Sequence, residues 1–118
     1  MSAEFGITTR FEGEAVVVAP RGELDAVTSP ELGVVLDEYL TGDDPHRGIV
    51  LDFSEVDFCD SRCIGVLVSA YRQARDRGKG LAVASPKGTV HRLFVIAGID
   101  QVLTIEADLG RALKAALA

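Results

Sequence analysis

Short apolar runs alternate along this chain with segments whose apolar residues recur every three or four positions. That alternation restricts the fold more than any other feature. Gly48–Phe53 and Leu81–Ala84 are nearly continuous apolar runs, the pattern of strands buried on both faces. Leu32, Val35, Leu36, Tyr39 and Leu40 make one helical face, and Ile64, Leu67, Val68, Tyr71 and Ala74 make another. Val90, Leu93, Phe94 and Ala97 predict a third inward face, and Leu109, Ala112, Leu113, Ala116 and Leu117 a fourth. Strand–helix–strand connections cross over right-handed, so most strands of such a chain lie parallel.

The punctuation agrees with the periodicity. Phe5–Phe11 and Ala15–Arg21 read as two strands joined by Glu12-Gly13-Glu14, a hairpin loop. Gly22–Val27 reads as a loop, and Ser29-Pro30 as a helix start. TGDDPHRG (Thr41–Gly48) ends that helix, Gly78 closes the second, Thr89 is expected to cap the third, and Gly98 ends it. Val102–Ile105 reads as a last strand. The predicted order is β-β-α-β-α-β-α-β-α, one α/β domain over residues 1–118. Its mixed, mostly parallel sheet has about four or five strands packed by about four helices. In such sheets function gathers beyond the carboxyl ends of the strands, so the polar loops Gly22–Thr28, Ser54–Ser61 and Ser85–Thr89 should share one rim.

A chain of 118 residues is long enough for a core without disulfides or metal. The net charge of −6 excludes the basic face that nucleic acid requires and disfavours anionic membrane surfaces. Arg72, Arg75, Arg77 and Lys79 are the one basic cluster, read as a solvated helix end. No apolar run reaches the length of a membrane span, and MSAEFGITTRFEGE has no signal-peptide pattern, so a cytoplasmic location without membrane insertion is expected. Cys59 and Cys63 do not make a zinc set and lack C-x-x-C spacing, and they read first as small buried thiols. A second reading places Cys63 at a helix start, where its pKa would fall and it could oxidise or cross-link to Cys59, gating the nearby surface.

The run Ile49–Leu67, IVLDFSEVDFCDSRCIGVL, carries the chemistry. A buried strand passes through acidic and polar residues into a helix, placing Ser61 at the helix N-terminus, where the macrodipole favours negative charge. A serine there suits a phosphate carrier; equally, Ser61 or Asp60 serves as an N-cap. Asp52, Asp57 and Asp60 invite an Mg²⁺ pocket like that of a receiver domain, but the acidic pair after the first strand and the lysine after the last are missing. No G-x-S-x-G surrounds Ser61, no motif makes His46 or His91 its base, and no Walker or dinucleotide loop occurs. No catalytic residue, metal ligand or cofactor is assigned, and the protein is not expected to be an enzyme.

Gly22-Glu23-Leu24-Asp25, Leu51-Asp52-Phe53-Ser54 and Asp60-Ser61 together resemble the STAS domain, and within it the bacterial anti-sigma factor antagonists. Tyr71-Arg72-Gln73-Ala74, Gly78-Lys79-Gly80-Leu81 and Val90–Asp100 continue the similarity over nearly the whole chain. The resemblance implies a partner-switching regulator. The unphosphorylated protein would bind an anti-sigma factor that is also a serine kinase of the histidine-kinase-like ATPase fold, releasing a sigma factor. The kinase would then phosphorylate Ser61 and dissociate, and a metal-dependent serine phosphatase would reverse the mark. Gly22, Asp25, Asp57, Asp60, Ser61, Arg62 and Cys63 are the implied partner surface, on a protein that is a monomer when free. The alternative is a STAS scaffold or accessory subunit of a stress-sensing or membrane transport complex, without a strong phosphoswitch.

The family pattern D-S-[S/T]-G is altered here to Asp60-Ser61-Arg62-Cys63. Arg62 sets a permanent cation beside the acceptor, where it can pair with a phosphate and blunt its repulsion. Cys63 adds a side chain where glycine lets a partner backbone approach.

Overall fold

The computed structural model describes residues 4–118; the first three residues of the amino-terminal stretch, read above as carrying no leader, lie outside them. Strand β1 (Gly6–Glu12) and strand β2 (Ala15–Leu24) form the expected antiparallel hairpin. Gly13 turns it with φ +60°, a left-handed value that suits a tight hairpin loop. Helix α1 (Ser29–Leu40), strand β3 (Gly48–Asp52), strand β4 (Glu55–Cys59) and helix α2 (Ser61–Asp76) follow. Strand β5 (Gly80–Ala84), helix α3 (Gly88–Ile96), a 3₁₀ turn (Ile99–Gln101), strand β6 (Thr104–Glu106) and helix α4 (Leu109–Leu117) complete the order.

The mixed α/β architecture with four helices matches the sequence reading, but the sheet has six strands rather than four or five. The extra strand is β4, inside what reads as the Ser54–Ser61 loop. Its existence depends on the length of β2. The first half of β2 pairs in parallel with β3, Ala15–Val18 against Gly48–Leu51. Its second half runs on past the end of β3 to Leu24 and offers a bare edge, which Glu55–Cys59 fills in parallel. The register shifts between Gly22 and Glu23, and Gly22 takes φ +90°, a bulge conformation that side chains resist. The main path of the sheet is β1-β2-β3-β5-β6.

Alternation along the central strands divides the core in two. Val16, Val18, Ile49, Leu51 and Val83 face α1, α2 and α3, which deliver Leu32, Leu36, Leu40, Leu67, Ala70 and Phe94. Val17, Val50, Ala82 and Ala84 face the other way and are covered by Ala112 and Ala116 of α4. Helix α4 lies almost on the sheet: a Cβ at Gly48 would come within 2.8 Å of the Ala116 carbonyl oxygen, and one at Gly80 would collide with the Ala116 backbone.

Five local readings differ from the structure. Strand β2 runs on to Leu24, three residues into what reads as the Gly22–Val27 loop, because β4 pairs with it there. Thr89 does not cap α3; the helix starts at Gly88, with Lys87 at the cap position and no side-chain cap. Ala97 is exposed rather than inward, because the chain has already turned toward Gly98 at φ +76°. The last strand begins at Thr104, since Ile99–Gln101 is helical and Leu103 turns into the core. Lys79 is not a solvated helix-end cation: its side chain is only 12% exposed, and Nζ donates to the Tyr39 carbonyl at 2.7 Å and pairs with Asp44 at 3.2 Å. Arg72, Arg75 and Arg77 are exposed, as expected. Among the described residues no helix is long and apolar enough to cross a membrane.

Candidate functional site

The three rim loops meet. The Asp60 amide donates to the Leu24 carbonyl at 3.2 Å, tying the α2 start to the end of β2. Across the rim Lys87 Nζ pairs with Asp57 Oδ1 at 2.5 Å, tying the β5–α3 turn to β4. That contact raises the Lys87 pKa, since the adjacent carboxylate favours the charged ammonium.

Of the two N-cap readings, Asp60 holds. Its Oδ1 accepts from the Arg62 amide at 2.9 Å and the Cys63 amide at 3.4 Å, satisfying helix-start donors that would otherwise lack partners. Ser61 is thereby relieved of capping. It is the first residue of α2, it is exposed, and among the described residues no side-chain hydrogen bond engages its hydroxyl. Arg62 beside it is exposed as well.

Asp25 works on the loop itself. Its Oδ1 accepts from the Val27 amide at 2.9 Å and the Thr28 amide at 3.0 Å. The Thr28 backbone donor, followed by that of Val27, holds the Asp25 pKa below the usual carboxylate value. The loop therefore has a fixed shape beside α2, which places Asp25 near the surface without leaving its carboxylate idle.

Two expected surface residues are interior. Cys63 is fully buried, so its thiol packs into the core and cannot meet a partner. Gly22 is buried inside β2, where its work is the bulge that lets β4 pair. The redox reading of Cys63 is corrected too. Hydrogen bonding to the Cys59 thiol and burial push the Cys63 pKa up, well above the ordinary thiol range, although the position is a helix start. Both cysteines are free and buried, which accords with the first reading.

The acidic residues do not converge on one point. Asp52 accepts from the Ser54 amide at 3.0 Å, Asp57 faces Lys87, and Asp60 caps α2. Among the described residues no group of three or more His, Cys, Asp or Glu could hold a metal ion. His46 binds Asp44 at 2.8 Å and stacks on Phe11 with ring centres 4.5 Å apart, and His91 is exposed on α3. Neither is hydrogen-bonded to Ser61.

Sequence reasoning missed Lys87 and Phe58. Phe58 is 47% exposed and borders a shallow depression between β4 and α3, lined also by Asp57, Thr89 and Leu93. Lys87 carried no signal, because its partner lies thirty residues away on a strand that the periodicity did not reveal. Phe58 could have been flagged as an aromatic among acids just before the helix start.

A mixed sheet of this order, with a capped strand-to-helix junction at its rim, is the architecture of STAS domains. The family model described as "Mlab, STAS domain" matches residues 7–105, and the chain belongs to the STAS domain family. The anti-sigma-B factor antagonist of Listeria monocytogenes is 34% identical over 87 residues, covering 72% of this chain and 73% of that protein. The anti-sigma F factor antagonist of Paenibacillus polymyxa is 30% identical over 90 residues, 76% of each. The crystal structure of an anti-sigma factor antagonist from Mycobacterium paratuberculosis superposes with a TM-score of 0.88 at 25% identity, over 100% of both chains.

Proposed function

We propose that this protein is an anti-sigma factor antagonist, switched by phosphorylation of Ser61. In its unmodified form it binds an anti-sigma factor that is also a serine kinase of the histidine-kinase-like ATPase fold, and a sigma factor is released. The binding surface comprises the Asp25 loop, Asp57, Phe58, Asp60, Ser61 and Arg62, with Lys87 at its edge. The kinase phosphorylates Ser61 and lets go; a serine phosphatase resets the protein. The observation that carries this reading is the division of labour at the α2 start. Asp60 does the capping, so Ser61 is left exposed with an unengaged hydroxyl in a chain whose relatives antagonise anti-sigma factors.

The electrostatics give the switch its sense. A phosphoserine carries nearly two negative charges. At the positive pole of α2 the fold tolerates them. In an interface, next to Asp57 and Asp60, the dianion loses its water and meets like charge, so the cost falls on the complex. Arg62 moderates this by pairing with the phosphate, so the switch is graded. Incubation with the cognate kinase and ATP, followed by mass spectrometry, tests the assignment. Phosphate should appear on Ser61 and be lost in Ser61→Ala, which should still bind. Phosphate on another residue, or binding insensitive to charge at position 61, would overturn it.

A further inference from the structure

Helices α1 and α2 do not close against each other along their whole length. Between them lies a cavity of about 350 Å³, opening at the rim beside Arg62 and floored by Leu36, Val66 and Ala70. A volume of this size suits a small organic ligand. Three features of its walls are unexplained by the fold.

The first is Ser29, which lines the cavity. Its hydroxyl is fully buried and, among the described residues, has no hydrogen-bond partner, a state that costs stability unless something supplies one. The second is a pair of glycines facing the cavity from the interiors of the two helices, Gly33 on α1 and Gly65 on α2. Glycine inside a helix is less stable than alanine. Neither has a positive φ, so neither is needed for backbone geometry. A Cβ at Gly65 would meet nothing within 4 Å, and one at Gly33 would touch only the Val66 methyl carbons at 3.8 and 3.9 Å. The fold would accept alanine at both, and each added methyl would narrow the groove. The third is charge. Arg62 has no ion pair among the described residues and stands at the rim end, where the positive poles of both helices point. Asp37 marks the far end, about 12 Å further along α1.

We propose that this groove is a binding site for a small anionic amphiphile. Its carboxylate is held by the Arg62 guanidinium and the Ser29 hydroxyl, and its short apolar body lies over Gly33, Leu36, Val66 and Ala70. Asp37 repels a negative group at the far end and so orients the head toward the rim. The Asp60 carboxylate already occupies the first amides of α2, which is why the anion depends on the Arg62 side chain rather than on the helix start.

Titration of the ¹⁵N-labelled protein with octanoate, 1-octanol and acetate tests the site. Octanoate should give saturable shifts at the amides of Ser29, Gly33 and Gly65, with acetate and octanol at least about tenfold weaker. Arg62→Gln should weaken octanoate by about tenfold and leave octanol unchanged. Gly65→Ala and Gly33→Ala should each raise Tm and weaken octanoate binding severalfold, a pairing of gains and losses that unfolding cannot imitate. Shifts that map elsewhere, octanoate binding undiminished in both alanine variants, or a lowered Tm in both would overturn the proposal. Ser61→Ala leaves the groove intact, so octanoate binding in that variant is independent of whether the phosphoswitch reading stands.

Discussion

Where β4 runs into α2, a carboxylate sits at the cap position; where β5 runs into α3, an ammonium does. The first junction is closed by its own residues. Asp60 satisfies two amides, its backbone is tied to Leu24, and Cys59 and Cys63 bury their thiols on either side of the turn. Ser61 is therefore held in one place before any partner arrives. The second junction has no side-chain cap, and Ser85 occupies φ +57°, a left-handed conformation costing about 1–2 kcal/mol for a residue with a Cβ. Its cation lies at the wrong pole of α3 and is made tolerable by Asp57, which belongs to the other junction. A junction that completes its own hydrogen bonds holds its next residue exposed in one geometry; one that borrows a partner is tied to the neighbouring strand.

The contrast implies that α3 is secured by its buried side chains and not by its start. Phe94→Ala, which removes the ring 5.9 Å from Phe53, should destabilise the protein by about 3–5 kcal/mol in urea unfolding. Ser61→Asp should leave stability nearly unchanged while weakening anti-sigma factor binding by about 2 kcal/mol, roughly thirtyfold by titration calorimetry. A large loss of stability in that variant would mean that the first junction is not preorganised. Asp60→Ala should cost about 1 kcal/mol of stability and broaden the Ser61 resonances. Lys87→Ala should lower Tm less than Asp60→Ala does, and the loss should vanish in high salt, because the pair is partly exposed.

The smallest effect is with pH. The folded pKa of Asp25 lies below its ordinary value near 3.8. Its contribution is therefore complete above that value and is lost as pH falls through the folded pKa. Asp44 behaves alike: burial pushes its pKa up, but hydrogen bonds from His46 and Lys79 outweigh this and lower it. Tm should fall on acidification below about pH 4, and Asp25→Asn should have a lower Tm at neutral pH with a shallower acid limb.

What could be read locally was read from spacing. Asp60 and Ser61 were legible because a buried strand, a polar turn and a helical period follow one another within a few residues. The resemblance puts Cys63 on the partner surface because the family pattern has a partner-facing glycine there, whereas its side chain belongs to the buried stripe Cys63, Leu67, Ala70 and Ala74. Strand β4 was hidden because Glu55 and Asp57 make EVDFC look like a loop; it is a strand only because β2 outruns β3.

The alternation of apolar runs and helical periods determined by itself the α/β class, the mostly parallel sheet and the rim on which Ser61 sits, since these follow from short-range sterics and from burying one face of each element. Only the tertiary structure decided that Lys87 meets Asp57, that both thiols are buried at the start of α2, and that Gly33 and Gly65 line a groove between α1 and α2. Those facts depend on strand register and helix separation, which are set by contacts between residues thirty or more positions apart, and local periodicity carries no record of them.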